Sequence, residues 1–517
     1  GFRNRIGSNG GTLSVPTPEM YQGDFSKWVD AKGALLQLYD TASTIPNPNG
    51  TGFVRTPFAG NQIPQNRFSA VSKQIIPYAS AVTPNRPGLV PGTSGWVRSN
   101  YVVTGGTTAS PTNKFSAKFD QNFGFNHHVS FFYNRTRYDS APGPTGPSGL
   151  PIPLWNGSVS NYGASLYRGT HDWTISPRMM NHFSLGGNKF YKNSYSPNTG
   201  GDWKSKVCIP NAVDCNVNFP SLSFSEFTSW GGAAYNGTEQ PSWSMKDDLS
   251  YIHGGHTLKF GFAFESQRAN GFGQQNIAGQ ASFSFLETAV PGATSATSGS
   301  SFASFLLGAA DSGATETIRY LPQTYAYHAF YAQDDWRVTP KLLLSLGLRY
   351  EFTKPPVAGG NQYSDFSPTT PNPAVNNYPG ALIFAGDGAG RTGQSSLVPG
   401  YYGAIGPRIG VAYSFGSKTT IRAGVGRTFS RVTVVASSSH YAGFIGQYAF
   451  SSTNQGITPA FYLDQGMPSY PLPPRIDPAF ANNGNVDYWN GQDATRAPEA
   501  YNYTFSIQRE LSKSTVF

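Results

Sequence analysis

Residues 331–350 read YAQDDWRVTPKLLLSLGLRY, and the second half of this stretch decides what fold the chain can adopt. From Leu342 to Phe352 every even position is apolar or aromatic: Leu342, Leu344, Leu346, Leu348, Tyr350 and Phe352. The odd positions from Ser345 onward are Ser345, Gly347, Arg349 and Glu351. Period two puts these sets on opposite faces of a strand. One face is a stripe of leucine; the other is small or charged.

The pattern recurs along the chain. Leu258, Phe260, Phe262 and Phe264 alternate with Lys259, Gly261, Ala263 and Glu265. Ile409, Val411, Tyr413 and Phe415 alternate with Arg408, Gly410, Ala412 and Ser414. Tyr501, Tyr503, Phe505 and Ile507 alternate with Asn502, Thr504, Ser506 and Gln508. Weaker versions occur at 115–119, 129–133, 167–175 and 325–331. Such runs exceed the ordinary globular strand of about 5–6 residues and match the roughly 9–11 needed for a tilted strand to cross a bilayer.

Composition agrees. Only 38% of the 517 residues are apolar, and the mean hydropathy is −0.36. No apolar run approaches the roughly 18 residues of a transmembrane helix. Aromatics nevertheless reach 14%, with 36 Phe and 29 Tyr, beside 59 Gly and 39 Pro. That mixture predicts an all-β, antiparallel chain with many turns and long loops.

The connections sort by length. Short turns are expected at 121–127, 176–181, 253–255, 338–340 and 416–418. Long polar or Pro/Gly-rich stretches cover 139–163, 191–241, 354–404 and 430–499. Short on one side and long on the other is the asymmetry of an outer-membrane barrel. In a bilayer only helices or closed sheets satisfy their backbone, so the outward face of each strand must be apolar. Phe260, Phe262, Leu342, Leu344, Leu346, Leu348, Phe505 and Ile507 are therefore expected to face lipid. Glu265, Arg349, Glu351, Arg408, Arg422 and Gln508 are expected to face the lumen. Trp336, Tyr350 and Tyr413 suit interfacial girdles, though Trp336 serves equally well as a hairpin anchor.

Other chemistry is not supported. The net charge of +9, from 37 basic and 28 acidic residues, is spread thinly, so no nucleic-acid partner is expected. His127-His128 and His253/His256 lack neighbouring ligands at metal spacing and read as solvated turn residues. Gly386–Gly390 and Gly424–Gly426 neither follow a buried strand nor open a helix, so a nucleotide loop is not expected. Asp334-Asp335 read as charge compensation for Arg337 and Arg349. No Ser/His/Asp arrangement appears, and no enzyme and no cofactor are expected. Cys208 and Cys215 are either free thiols or a local disulfide; their proximity, with no other cysteine in the chain, favours the disulfide and an oxidising compartment.

Tyr331-Ala332-Gln333-Asp334-Asp335-Trp336-Arg337-Val338-Thr339-Pro340, followed by Leu346-Gly347-Leu348-Arg349-Tyr350-Glu351, resembles the barrel hairpin of TonB-dependent outer-membrane receptors. Val15-Pro16-Thr17 with Gly23-Asp24-Phe25, Arg55-Thr56-Pro57-Phe58 and Phe302-Ala303-Ser304-Phe305-Leu306-Leu307-Gly308 resemble the Oar-like branch of that family. So do Gly406-Pro407-Arg408-Ile409-Gly410-Val411-Ala412-Tyr413 and Phe505-Ser506-Ile507-Gln508-Arg509-Glu510-Leu511. These stretches run from end to end in family order.

The resemblance implies a wall segment of a 22-stranded barrel, with about 14 candidate strands in this chain. It implies residues 1–112 as a loop-rich extracellular region and 113–517 as the strands with their turns and loops. The family's plug, energy-coupling segment and small preceding β-sandwich are not visible. A TonB-type energy-coupling protein would act through that missing plug. The expected partners are outer-membrane lipid, this coupling protein and an imported ligand of the peptide, glycan or chelate kind. The expected location is the bacterial outer membrane. An ungated porin-like channel and a secreted glycan-binding adhesin remain as alternatives.

Overall fold

The structure is a computed structural model. It describes residues 2–30, 32–88, 98–140, 149–155, 157–232, 235–317, 319–431, 438–481, 486–488, 494–512 and 515–516. A fourteen-stranded sheet dominates it. Twelve of its members are 11 to 23 residues long. They are Phe2–Leu13, Tyr101–Phe123, His127–Asp139, Val159–Ser176, Met179–Tyr195, Tyr235–His253, His256–Gln274, Arg319–Thr339, Leu342–Thr353, Ala404–Phe415, Thr419–Phe429 and Glu499–Ser512. Each pairs antiparallel with the next in chain order. We call this sheet the wall.

All short turns lie at one end of the wall, at 124–126, 177–178, 254–255, 340–341 and 416–418. At the 254–255 turn Gly254 has φ +56°, the left-handed conformation that a tight hairpin requires and glycine adopts without strain. Every long connection lies at the other end: 14–100, 140–158, 196–234, 275–318, 354–403 and 430–498.

Several expectations need correction. The strands run further than the alternating runs suggested, so the long connections are shorter than 139–163 and 191–241. One further long connection, 275–318, was not anticipated, and the loop-rich region expected over 1–112 is the connection 14–100. The division after residue 112 falls inside the Tyr101–Phe123 strand, and Phe2–Leu13 pairs with that strand. The reason is physical: the strand's first half, Tyr101–Ser110, is rich in Thr and Gly, and its pairing comes from its neighbours, not from its own alternation.

The compact core lies in none of these strands. Three of the long connections supply a four-stranded mixed sheet of Ser221–Phe224, Gln280–Phe283, Ser312–Glu316 and Gln447–Ser451. Beside it the helix Ser301–Leu306 is wholly buried. Trp28, Phe25, Leu38, Ile63 and Ile75 pack onto Phe224, Trp230, Phe283, Phe302 and Phe305 in one cluster. The helix Ala70–Ala79 is capped by Ser69, and Asp464 accepts from the Ala70 and Val71 amides at 3.0 and 3.1 Å. A carboxylate at a helix start satisfies orphan amides and complements the helix dipole. We call this body the cap. It contains the disulfide Cys208–Cys215, with Cα atoms 5.3 Å apart.

Candidate functional site: the polar face of the wall

Cross-strand partners share a face, so the register assigns every wall side chain. Leu342 pairs with Tyr413, Tyr413 with Ile421, and Ile421 with Ile507. Phe260 pairs with Ala332 and Ala332 with Leu348, while Phe262 pairs with Phe330. All eight residues expected to face lipid lie on this one face. Glu265, Arg349, Glu351, Arg408, Arg422 and Gln508 all lie on the other. The apolar face stays open: Leu348, Phe505 and Tyr503 are 52%, 70% and 75% exposed. An apolar surface of this extent on a water-soluble protein would be a liability.

The opposite face carries a row that no single strand reveals. Asn122 pairs with His128, His128 with Asp172, Asp172 with His182, and His182 with Asp248. The row continues through Gly261 to Tyr331 and Arg349. His128 donates to Asn122 Oδ1 at 2.8 Å, and His182 donates to Asp172 Oδ1 at 2.5 Å. The Tyr331 hydroxyl donates to Asp248 across Gly261. A Cβ on Gly261 would sit 2.4 Å from that tyrosine ring, so only glycine admits the crossing. Lys246 also holds Asp248, at 2.7 Å.

Next to this row Tyr327 donates to Glu351 at 2.6 Å, while Arg349 donates to Glu351 at 2.7 Å and to Tyr327 at 2.9 Å. Arg431 grips Glu265 with both guanidinium nitrogens, at 2.8 and 2.9 Å, and lies 4.4 Å from the Tyr327 ring centre. Arg422 donates to Gln508. These pairs are partly exposed, so each contributes about 0–1 kcal/mol. They fix side-chain positions more than they stabilise the sheet.

Arg408 has no carboxylate partner among the described residues. It rises between Gly347 and Gly426 and separates two crevices. One, of about 240 Å3, is lined by Lys246, Tyr331, Gln333, Gly347 and Arg349. The other, of about 500 Å3, is lined by Ser345, Gly410, Gly424, Gly426, Asn502 and Thr504. Small residues leave the backbone approachable there: a Cβ on Gly347 or Gly410 would meet nothing closer than 3.5 Å.

Two local expectations fail. Asp334 and Asp335 do not compensate Arg337; Asp334 accepts from His256 at 2.7 Å, and Asp335 from Ser345 at 2.7 Å. Consecutive strand residues point to opposite faces, so no single arginine can serve both. The histidines are not turn residues either. His127, His128, His253 and His256 all lie in strands, and His256 stacks on Trp336 with ring centres 5.2 Å apart. The residues that sequence reading missed are His128, Asp172, His182, Asp248, Tyr331, Tyr327 and Arg431. They are scattered over six segments, and their arrangement exists only once the register is known.

The model of the outer membrane beta barrel domain matches residues 1–517. No curated protein sequence matches. Among solved structures, the ferric yersiniabactin uptake receptor of Yersinia pestis aligns at 9% identity over 68% of this chain and 42% of its own, with a TM-score of 0.31. A ferric enterobactin receptor mutant from Pseudomonas aeruginosa aligns at 11% identity over 68% and 39%, with a TM-score of 0.32. The toluene transporter of Pseudomonas putida aligns at 9% identity over 69% and 70%, with a TM-score of 0.18. All three scores lie below the level of a shared fold. The chain spans about two-fifths of the length of the two receptors.

Proposed function

The chain belongs to the outer membrane beta barrel domain family and sits in the bacterial outer membrane, and from that premise we propose that it forms part of the wall of a gated importer. The secreted-adhesin alternative drops out with this membership. In this reading the apolar face meets lipid and the polar face lines the lumen. The long connections, with the cap they build, face the outside and meet the ligand; the short turns face the periplasm.

The observation that carries the reading is the polar face itself. Its glycine-lined crevices let another protein surface approach the backbone, and its fixed charges of both signs offer that surface directional partners. A plug held there would be displaced when a TonB-type partner pulls on it. This is the wall of a TonB-dependent transporter, its ligand being a peptide, glycan or chelate.

A water-filled porin would carry similar charges, so conductance separates the two. The complete protein in planar bilayers is expected to conduct little, and removing the plug to open a large conductance. Ligand uptake is expected to collapse with the proton gradient. Steady high conductance from the complete protein, with uptake indifferent to the gradient, would establish the porin instead.

A further inference from the structure

Two arginines leave the long connections to bind groups far away in the sequence, and they do so in opposite ways. Arg55, 7% exposed, enters the cap from the 14–100 connection. Its guanidinium donates to the carbonyls of Leu286, Glu287 and Ala289 at 3.0 Å each. It also donates to the carbonyls of Gly456 and Ile457 at 2.5 and 3.0 Å, and its Nε donates to Thr44 at 2.9 Å. One side chain thus clasps three connections, 14–100, 275–318 and 430–498, almost entirely away from solvent.

Arg431 is the contrasting case. Its side chain is 43% exposed, and its ionic partner Glu265 is 28% exposed. Nη1 and Nη2 donate to Oε1 and Oε2 at 2.8 and 2.9 Å, the fork-to-fork pairing that a guanidinium makes and an ammonium cannot. The guanidinium carbon lies over the Tyr327 ring, 4.4 Å from its centre, a cation–π contact. That ring is held in place, because its hydroxyl donates to Glu351 at 2.6 Å and accepts from Arg349 at 2.9 Å. Glu265 and Tyr327 are register partners on neighbouring strands, so the sheet itself sets carboxylate and ring side by side. The wall presents a built guanidinium site, and an exposed arginine from a connection fills it.

The occupant comes from a distance. Three strands stand between His256–Gln274, which carries Glu265, and Thr419–Phe429, which precedes Arg431. Four strand spacings are about 19 Å along the sheet, further than a side chain reaches, so the chain turns over the polar face as soon as Thr419–Phe429 ends. The far end of the same connection follows it. The Ser430 amide donates to the Pro498 carbonyl at 2.8 Å, and Thr495 and Ala497 line one crevice with Tyr327, Glu351 and Arg431. Both feet of the 430–498 connection lean across the polar face, and the Arg431 pair ties them to His256–Gln274.

We propose that Glu265 and Tyr327 form a binding site for the arginine side chain of a peptide ligand, a site that Arg431 occupies from within the chain until the ligand displaces it. A partly exposed ion pair contributes about 0–1 kcal/mol, so exchanging one guanidinium for another is easy; Arg431 is favoured because its tether keeps it close. Displacement frees the feet of the 430–498 connection from His256–Gln274. The proposal narrows the ligand of the proposed importer to an arginine-bearing peptide and rests on that reading. Binding is measured without transport, so either can fail alone.

Saturation-transfer NMR on the whole detergent-solubilised protein tests the site, with the peptide Gly-Arg-Gly as probe and its citrulline and lysine counterparts as controls. Arg431→Ala empties the site, and is expected to bind the arginine peptide about tenfold more tightly than the wild type does. The same variant is expected to prefer it about tenfold over the citrulline peptide, which keeps the shape and loses the charge. Adding Glu265→Gln is expected to erase that preference. Arg431→Gln stands in should Arg431→Ala fail to assemble. A citrulline or lysine peptide held as tightly as the arginine peptide by the emptied site would overturn the proposal, as would a preference that survives Glu265→Gln. Wild-type binding as tight as that of Arg431→Ala would overturn it too, because Arg431 would then not be the occupant.

Discussion

In the wall, large apolar side chains point away from the sheet and stay uncovered; Phe505 and Tyr503 are examples. In the cap, Phe302 and Phe305 are fully buried, with Phe302 ringed by Tyr21, Phe227 and Trp230 at centre distances of 5.2, 5.7 and 6.0 Å. One chain thus uses its aromatics in opposite ways at its two ends. The difference teaches that a mean hydropathy of −0.36 averages two solvents. The cap obeys the rules of a protein in water, with apolar groups removed from solvent. The wall leaves its apolar groups outside, which is stable only where the surroundings are themselves apolar.

The sharpest way to separate the two regions is to hollow the cap. Phe302→Ala is expected to cost the cap about 3–5 kcal/mol, the usual range for a buried Phe→Ala. Limited proteolysis should then cut within 14–88, while the wall keeps its resistance to denaturation in gel mobility. Joint collapse of wall and cap would show that they are one cooperative unit. A somewhat smaller effect is expected on the wall. Leu346→Arg should cost about 2–4 kcal/mol near the bilayer midplane, and Ser345→Arg about 0–1, because only the lipid face excludes charge. Equal membrane assembly of the two variants would break the contrast between faces. The smallest effect concerns a cross-link inside the cap. Replacing Cys208 and Cys215 with serine should cost about 2 kcal/mol, as loop-closure entropy predicts for so short a ring. Thermal melting of the cap should shift down while the wall signal stays in place; a thiol signal from the unreduced, unfolded wild type would remove the premise.

The wall was legible in the sequence because its rule is local. Leu342 to Phe352 declare two faces within eleven positions, and no partner is needed to see them. The row from Asn122 to Arg349 was not legible, because it depends on how seven hairpin and crossover pairings slide into register. For that reason His128 reads as a turn residue from the sequence and His182 draws no reading. The cap was partly visible. Phe302 to Gly308 stood out only as a stretch resembling a family, and its role as the centre of a core follows from segments hundreds of positions away. The same distance hid Arg55, most of whose acceptors lie in two other connections.

The Arg55 clasp also carries information about timing. Wall strands pair with their neighbours in sequence, so each hairpin can close soon after it is made and the sheet can grow by local additions, which are the fast ones. Arg55 waits for Gly456, 401 residues further along. Until that residue arrives, a guanidinium and the carbonyls meant for it have only water to bind. The cap therefore stays incomplete until the 430–498 connection is in place, and any helper that shields a half-made molecule has a long exposure to cover at this end.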